Sequence, residues 1–323
     1  RWLKSTQDLM SNRLKFILFI LLSAIVSACS ESTDKKEKDS PVAGDILILC
    51  DESYQPLIQA QVETFHALYQ YANIRVRYLP EAELFREFAT NDSVRIAVTA
   101  RSLNQQEEEH FVGMKIIPRE TKIAIDAIAF VLNKANPDTL LTYEQLSGIL
   151  RGDIKTWKSI NSKSSIDSIQ VVFDRNGSST ARFLKEHFVQ GDNLPGNWYA
   201  IESNAEMINF VSTSTKSIGV VAVNWISDKD DPEVNEFLTK VNVAEISSPD
   251  TGQTAKEYFK PYQAYIALKK YPLTRDAMII SREGRNGLGT GFASFVAGDQ
   301  GQRLVRLMGM LPATMPVRIV KIN

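Results

Sequence analysis

Cysteine and histidine are both scarce: two cysteines, Cys29 and Cys50, and three histidines, His66, His110 and His187, in 323 residues. The histidines are scattered along the chain with no metal-ligand spacing between them, so neither a metal centre nor a cofactor is expected. An enzyme built on Ser178 would need a partner base, and none is visible in sequence. Charge of one sign is also missing. The formal net charge is −1, so no global field draws in nucleic acid, and an anion has to be held by a local arrangement. Internal repeats are absent, and the longest strongly apolar run, residues 16–22 with small residues on to Ala28, is shorter than the roughly 20 residues that span a bilayer as a helix.

That short run has a specific setting. Arg13 and Lys15 precede it and Cys29 follows it, the order of a basic region, an apolar region and a small-residue cleavage site. Val26-Ser27-Ala28-Cys29 resembles a bacterial lipobox, which implies export, lipid on Cys29 and membrane attachment in the cell envelope. Met10 is then the expected start, with residues 1–9 upstream of it, and only Cys50 is left, so no intrachain disulfide is expected. Cys50 ends the apolar run 45–50 and reads as a buried small hydrophobe. Residues 30–44 are polar and highly charged and read as a flexible tether.

From Asp45 onward, β-rich runs alternate with helical periodicity, predicting an α/β fold with mostly parallel strands. Residues 46–50, 74–78 and 94–98 read as strands around helices 56–69 and 81–88. This unit places the loops 51–54 and 99–103 side by side at strand C-terminal ends, where open α/β sheets bind ligands. Later strands are expected at 123–132, 169–173, 218–223, 264–267 and 317–320. Helices are expected after Thr142 and at 178–189, 205–212, 290–295 and 300–307. Trp157, Trp198 and Trp225 are dispersed, as core or lobe-packing residues are.

The chemistry is concentrated in Asp174-Arg175-Asn176-Gly177-Ser178-Ser179-Thr180, which follows the apolar run 169–173 and opens a helix. Glycine allows a positive-φ turn, and the helix start offers unpaired N–H groups and the positive end of the macrodipole to an anion. N-capping by a serine alone accounts for the same residues. The segment is similar to the Gly-Ser-Gly-Thr helix start of the phosphate-binding proteins that serve ABC transporters. Further likenesses occur in order: Ile125-Asp126-Ala127, Asn136-Pro137, Thr142-Tyr143-Glu144-Gln145-Leu146, Gly152-Asp153-Ile154, Ile218-Gly219-Val220-Val221, Tyr271-Pro272-Leu273-Thr274-Arg275, and Gly301-Gln302 before Leu307-Met308-Gly309.

The resemblance implies the two-lobed periplasmic-binding fold of type II, with inorganic phosphate in the cleft, an ABC permease as partner, and a monomer. Lobe 1 would comprise residues 45–130 and 265–323, and lobe 2 residues 131–264. By position, the implied ligand shell is Ser53, Tyr54, Thr99, Arg101, Asp174, Gly177, Ser178, Ser179 and Thr180. Four departures from the family pattern bear on it. Ser179 stands where the family has glycine, and Asp174 stands where it has arginine. Thr99-Ala100-Arg101 replaces the segment that carries a proton-accepting aspartate, and Leu79-Pro80-Glu81 lacks a serine. Arg101 is therefore the expected guanidinium clamp, with Asp174 or Asp51 as the acceptor that separates protonated phosphate from bare sulfate. Another oxyanion such as sulfate, molybdate or phosphonate, a sensor or scavenger without a permease, and a ligand-free lipoprotein interaction module are the alternatives.

Membrane attachment is tested at Cys29. A Cys29→Ser chain is expected to leave the membrane fraction, because stable anchoring needs more than one lipid chain; a processed variant that stays with membranes would overturn the lipoprotein reading.

Overall fold

The computed structural model describes residues 39–189, 191, 193–227, 232–249 and 257–314. Cys29 with its preceding segment, most of the expected tether and the expected strand at 317–320 lie outside them. Asp39 is already bound to the folded body. Its carboxylate accepts hydrogen bonds from Arg95, from Arg285 (2.8 Å) and from the Leu288 N–H (2.9 Å), so the packed part of the chain begins earlier than the composition of 30–44 suggests.

Strand β1 (Gly44–Asp51) enters a 3-10 turn (Glu52–Tyr54) and helix α1 (Gln55–Leu68). The next elements, β2 (Ala72–Leu79), α2 (Glu81–Thr90) and β3 (Val94–Thr99), complete the expected unit. Both β2 and β3 pair with β1 in parallel. Helix α3 (Gln105–Gly113), which the sequence pattern did not reveal, carries an Asn104/Glu107 capping box. The long strand β4 (Arg119–Asn133) follows, then β5 (Leu140–Leu141) and α4 (Tyr143–Arg151). Helix α4 is framed by a Thr142/Gln145 capping box and by Gly152 in the left-handed region at φ 78°.

The second unit comprises β6 (Gln170–Phe173), α5 (Ser179–Phe188), β7 (Trp198–Ala200), α6 (Asn204–Thr213) and β8 (Ser217–Ala222). All six residues of β8 are buried, as expected for a strand covered on both faces. The remaining elements are α7 (Pro232–Lys240), β9 (Val241–Val243), β10 (Glu245–Ser247), β11 (Tyr258–Phe259), α8 (Gln263–Ala267), β12 (Thr274–Ser281), α9 (Leu288–Ala297), α10 (Asp299–Leu307) and β13 (Leu311–Pro312). The strand expected at 264–267 is thus a short helix. Its four residues are too few to display a period, and the Ile266 N–H closes a helical turn onto the Tyr262 carbonyl at 3.0 Å.

The main sheet has the order β2-β1-β3-β12-β4-β8-β6-β7, with β9 and β13 also on β4. Its flanks are parallel, but β12 is antiparallel to both β3 and β4, and β4 is antiparallel to β8. The expectation of mostly parallel strands fails at the centre for a topological reason: β4 leaves the first half of the sheet and β12 returns beside it. Residues up to Ala127 of β4 pair with β12, and those from Ile128 pair with β8. One continuous strand therefore belongs to both halves, and the switch falls three residues before the lobe boundary expected from sequence. The return lies alongside: the Ile128 N–H donates to the Leu273 carbonyl (2.9 Å), and the buried Tyr271 hydroxyl donates to the Ile128 carbonyl (2.7 Å).

Candidate functional site

The parallel register of β1 and β3 brings Asp51 and Thr99 to the same end of the first half. At the facing end of the second half, β6 runs out into Asp174, and the turn that follows reverses at Gly177, whose φ of +81° favours glycine. Ser178 then caps α5 by accepting the Ala181 N–H at 3.1 Å. The capping reading of Ser178 is correct, and it leaves the N–H groups of Ser179 and Thr180 in the first turn without acceptors inside the helix.

These two ends touch. Ser53 Oγ lies 3.0 Å from Ser179 Oγ and 3.4 Å from Thr180 Oγ1. The Ala82 N–H at the start of α2 donates to the Gly177 carbonyl at 3.0 Å. Arg182 on α5 forks onto Glu81 of α2, with one bond at 3.1 Å. From the turn after β8, the Asn224 amide (2.8 Å) and the Trp225 indole N–H (3.1 Å) donate to the Ser53 carbonyl. The halves are therefore closed on one another around a buried polar centre.

A guanidinium sits in that centre, and it belongs to Arg275 rather than to Arg101. Arg275 and Asp126 are cross-strand partners in the β12/β4 register. Arg275 Nε donates to Asp126 Oδ2 at 2.9 Å, and Nη1 donates to Ser179 Oγ at 2.9 Å. Its Cζ stands 5.4 Å from the centre of the Tyr54 ring, within cation–π range, while its Nη2 has no hydrogen-bond partner among the described residues.

The expected clamp, Arg101, is engaged elsewhere. Its two terminal nitrogens bond Glu107 at 2.7 and 2.8 Å, and its Cζ rests 3.7 Å from the Phe85 ring centre. The capping box of α3 sets Glu107 in its path. Thr99 also turns inward, donating from Oγ1 to the Arg101 carbonyl at 2.7 Å, which staples the loop. Of the residues expected from sequence, the structure gathers Ser53, Tyr54, Asp174, Gly177, Ser178, Ser179 and Thr180, with Thr99 beside them and Arg101 outside.

Sequence reasoning missed Arg275, Asp126, Asn204 and Asn224. A signal existed for Asp126, a lone charge in the apolar run 123–132, where an unpaired ion is too costly to persist; Arg275 stands beside Asp276 and carries no such mark. Nothing in the pattern marks the two asparagines.

Carboxylates dominate the remainder. Asp51 Oδ1 accepts the Ser53 N–H at 2.8 Å, and Asp174 Oδ2 accepts from the Asn204 amide at 3.3 Å. Asp51 Oδ2, Asp174 Oδ1 and the Tyr54 hydroxyl have no hydrogen-bond partner among the described residues, although all three residues are buried. Burial, followed by the charge of Glu81, raises the Asp51 pKa to about 6 against the pull of Arg275. Burial raises Asp174 to about 7, reinforced by Asp51 and opposed by the nearby Ser178 hydroxyl and by Arg275. Burial also raises Asp126, with Arg275 opposing. The histidines stay outside: His66 Nε2 accepts the Ile74 N–H, His110 bonds the Ala89 carbonyl, and His187 bonds the Phe183 carbonyl.

Two α/β halves joined through a shared strand, closed over hydroxyls, a helix N-terminus and a guanidinium, define a two-lobed binding protein. Residues 35–300 match the family model described as the PBP superfamily domain, and the chain belongs to that family. Among curated proteins, the phosphate-binding protein PstS of Staphylococcus aureus is 26% identical over 226 residues, covering 68% of this chain and 63% of the relative. The match thus spans less than two thirds of that protein. Among solved structures, a Clostridium perfringens substrate-binding protein with bound phosphate superposes with a TM-score of 0.69 at 19% identity, covering 84% of this chain and all (100%) of the other. An ABC-type phosphate transport receptor from Vibrio cholerae gives 0.60 at 20% identity, covering 83% and 100%. At these identities the structures establish a shared fold.

Two outcomes test the site's energetics. Arg275→Ala leaves Asp126 buried without its counter-ion and is expected to cost about 3 to 5 kcal/mol, whereas Arg101→Ala, at a partly exposed pair, is expected to cost about 1 kcal/mol or less; urea denaturation measures both. Asp51 and Asp174, with folded pKa values raised above the usual carboxylate value of 3.8, favour the folded state at low pH and lose that contribution as pH rises through about 6 and about 7. The melting midpoint of ligand-free protein should accordingly fall as pH rises from about 4 to about 7 and level off above that. Asp174→Asn should reduce the fall, and a flat wild-type profile would contradict the assignment.

Proposed function

We propose that this protein is an exported, lipid-anchored solute-binding protein that captures inorganic phosphate between its lobes and delivers it to an ABC permease. The observation that carries the reading is the buried centre where Ser53, Ser179, Thr180 and Arg275 converge on the start of α5. Such a centre supplies a tetrahedral anion with hydroxyl and N–H donors, a helix dipole and one charged fork. The names of the curated relatives and of the structural neighbours support the same ligand. Arg275 takes the role expected of Arg101, and Asp51 and Asp174 are the acceptors for protons that phosphate carries and sulfate lacks. The proposed lobes are those expected from sequence, with the first crossing moved to Ala127/Ile128.

Binding would follow from closure. Ser53 and Arg275 come from one half and residues 178–180 from the other, so the anion is bridged only when both are in place, and its affinity for the closed arrangement draws the population there. Exclusion of water strengthens each charge-assisted contact. A binding protein rather than an enzyme is proposed, since none of the three histidines reaches Ser178; release of product from chromogenic phosphoesters would overturn that part.

Titration calorimetry of ligand-stripped protein with phosphate and sulfate, at one pH and salt, tests the ligand. Below neutrality, where phosphate brings two protons, Asp174→Asn or Asp51→Asn is expected to weaken phosphate by roughly 1.5 to 3 kcal/mol, about one to two decades, and to favour sulfate relatively, since the amide donates where the carboxylate accepted. Wild-type protein that binds both anions equally, with an unaltered ratio in the variants, would leave a generic oxyanion receptor.

A further inference from the structure

The closed centre contains more negative charge than an anion site ordinarily tolerates. Asp51, Asp126 and Asp174 are all buried around a single buried guanidinium. Arg275 is committed to Asp126, so Asp51 and Asp174 have no ion-pair partner of their own among the described residues. The charges nearest to them do not relieve this. Glu81 on α2 faces Asp51 but is held by Arg182 and approached by Arg101 at 3.6 Å. Glu52, in the turn after β1, faces Asp174 and is paired with Arg175 at 3.7 Å. The remaining neighbours are neutral: the Ser53 N–H, the hydroxyls of Ser178 and Ser179, and the Asn204 amide. One carboxylate lies at the end of β1 and the other beyond β6, so they come from opposite halves, and each keeps one oxygen without a hydrogen-bond partner among the described residues.

Two acceptor-only groups facing one oxyanion require two protons between them and the ligand, because a bare oxygen against a bare carboxylate is repelled in a poorly solvated site. We propose that anion capture here is coupled to proton uptake, with the bound phosphate sharing one proton with Asp51 and a second with Asp174. This rests on the phosphate reading above and specifies the form of the ligand: the site is built for dihydrogen phosphate. Charge and protons balance as follows. Above neutrality the free carboxylates are largely ionised and the entering monohydrogen dianion brings one proton, so the second comes from solvent. Below neutrality the dihydrogen monoanion brings both, and protons already held by Asp174 and Asp51 in the free protein are released, so net uptake passes through zero near neutrality and becomes release on the acid side. Sulfate brings none, so the solvent must supply two.

The site acquires its selectivity from this coupling. Binding linkage makes each proton taken up about a tenfold change in affinity per pH unit. The buried acidic pair therefore rejects sulfate at neutral and alkaline pH without a steric filter, and admits phosphate at the cost of one proton. The raised titration ranges of both groups, about 6 and about 7, put the change within the range an envelope protein meets.

Calorimetric titration of the full chain with inorganic phosphate, repeated in buffers of different ionisation enthalpy at several pH values, reads the proton count directly. Uptake of about one proton per phosphate is expected near pH 8, vanishing near neutrality and turning to release toward pH 6, with affinity for total phosphate rising about tenfold for each unit by which pH is lowered at the alkaline end. Sulfate affinity should climb more steeply as pH is lowered, up to about a hundredfold per unit while both carboxylates are ionised, so that sulfate binding emerges only on the acid side. Asp174→Asn, close to isosteric, should lower the uptake while circular dichroism reports a folded protein; if that variant fails to fold, the wild-type sulfate series supplies the second test. Phosphate binding with no proton uptake and a flat pH profile overturns the coupling and leaves the phosphate reading intact. A folded protein that gives no phosphate heat at any pH overturns the phosphate reading itself.

Discussion

The pairing of Arg275 with Asp126 is the interaction on which the centre depends. It joins the strand that leaves the first half of the sheet to the strand that returns, directly across the register and one residue before β4 changes partners. A buried ion pair is a poor source of stability in itself, since desolvation consumes most of its Coulombic gain. Its consequence here is positional. With its Nε on Asp126, the guanidinium extends Nη1 to Ser179 on the opposite half, so the crossing and the site share one side chain.

Ser179 shows how a local change is absorbed. The related helix starts have glycine at this position, and the extra hydroxyl here is the atom that meets both Ser53 and Arg275. Asp174 stands where the family has arginine, and the positive charge is supplied instead by Arg275 from a different strand. On the family resemblance the exchange moves the positive charge to another strand and adds a carboxylate to the centre. On the proposed phosphate reading, this makes the protonation state of the ligand part of recognition.

Closure is secured at its rim as well as its centre. Arg182 and Glu81 tie α5 to α2 beside the backbone bond between Ala82 and Gly177. Bonds of this kind cost little to exchange for water when the halves part. The central cluster is different, because opening would hydrate Asp51 and Asp174 and lower their pKa values, releasing protons as the anion leaves. On the proposed coupling, the same groups that select the ligand also make its release sensitive to solvent access.

Much of this was legible along the chain. The 2-residue and 3.6-residue periods marked most strands and helices, and the capping signals at Thr142 and Ser178 gave two helix starts because capping is local chemistry between residues three apart. Ordered family likenesses placed Ser53 and residues 177–180 together, which the closed halves bear out as geometry. Other features depended on contacts far apart in sequence. Thr99-Ala100-Arg101 reads as an anion loop, yet Arg101 folds onto Glu107 because a capping box six residues on presents a better partner. Arg275 and Asp126, 149 positions apart, meet only because antiparallel pairing of β4 and β12 sets them opposite, and no local period encodes that register. Short-range chemistry along the chain sufficed for most of the elements, their order and a hydroxyl-rich helix start; which guanidinium reaches the centre, and that two carboxylates face it without counter-ions, emerged only from the folded arrangement, because charge and burial are properties of what surrounds a residue in space.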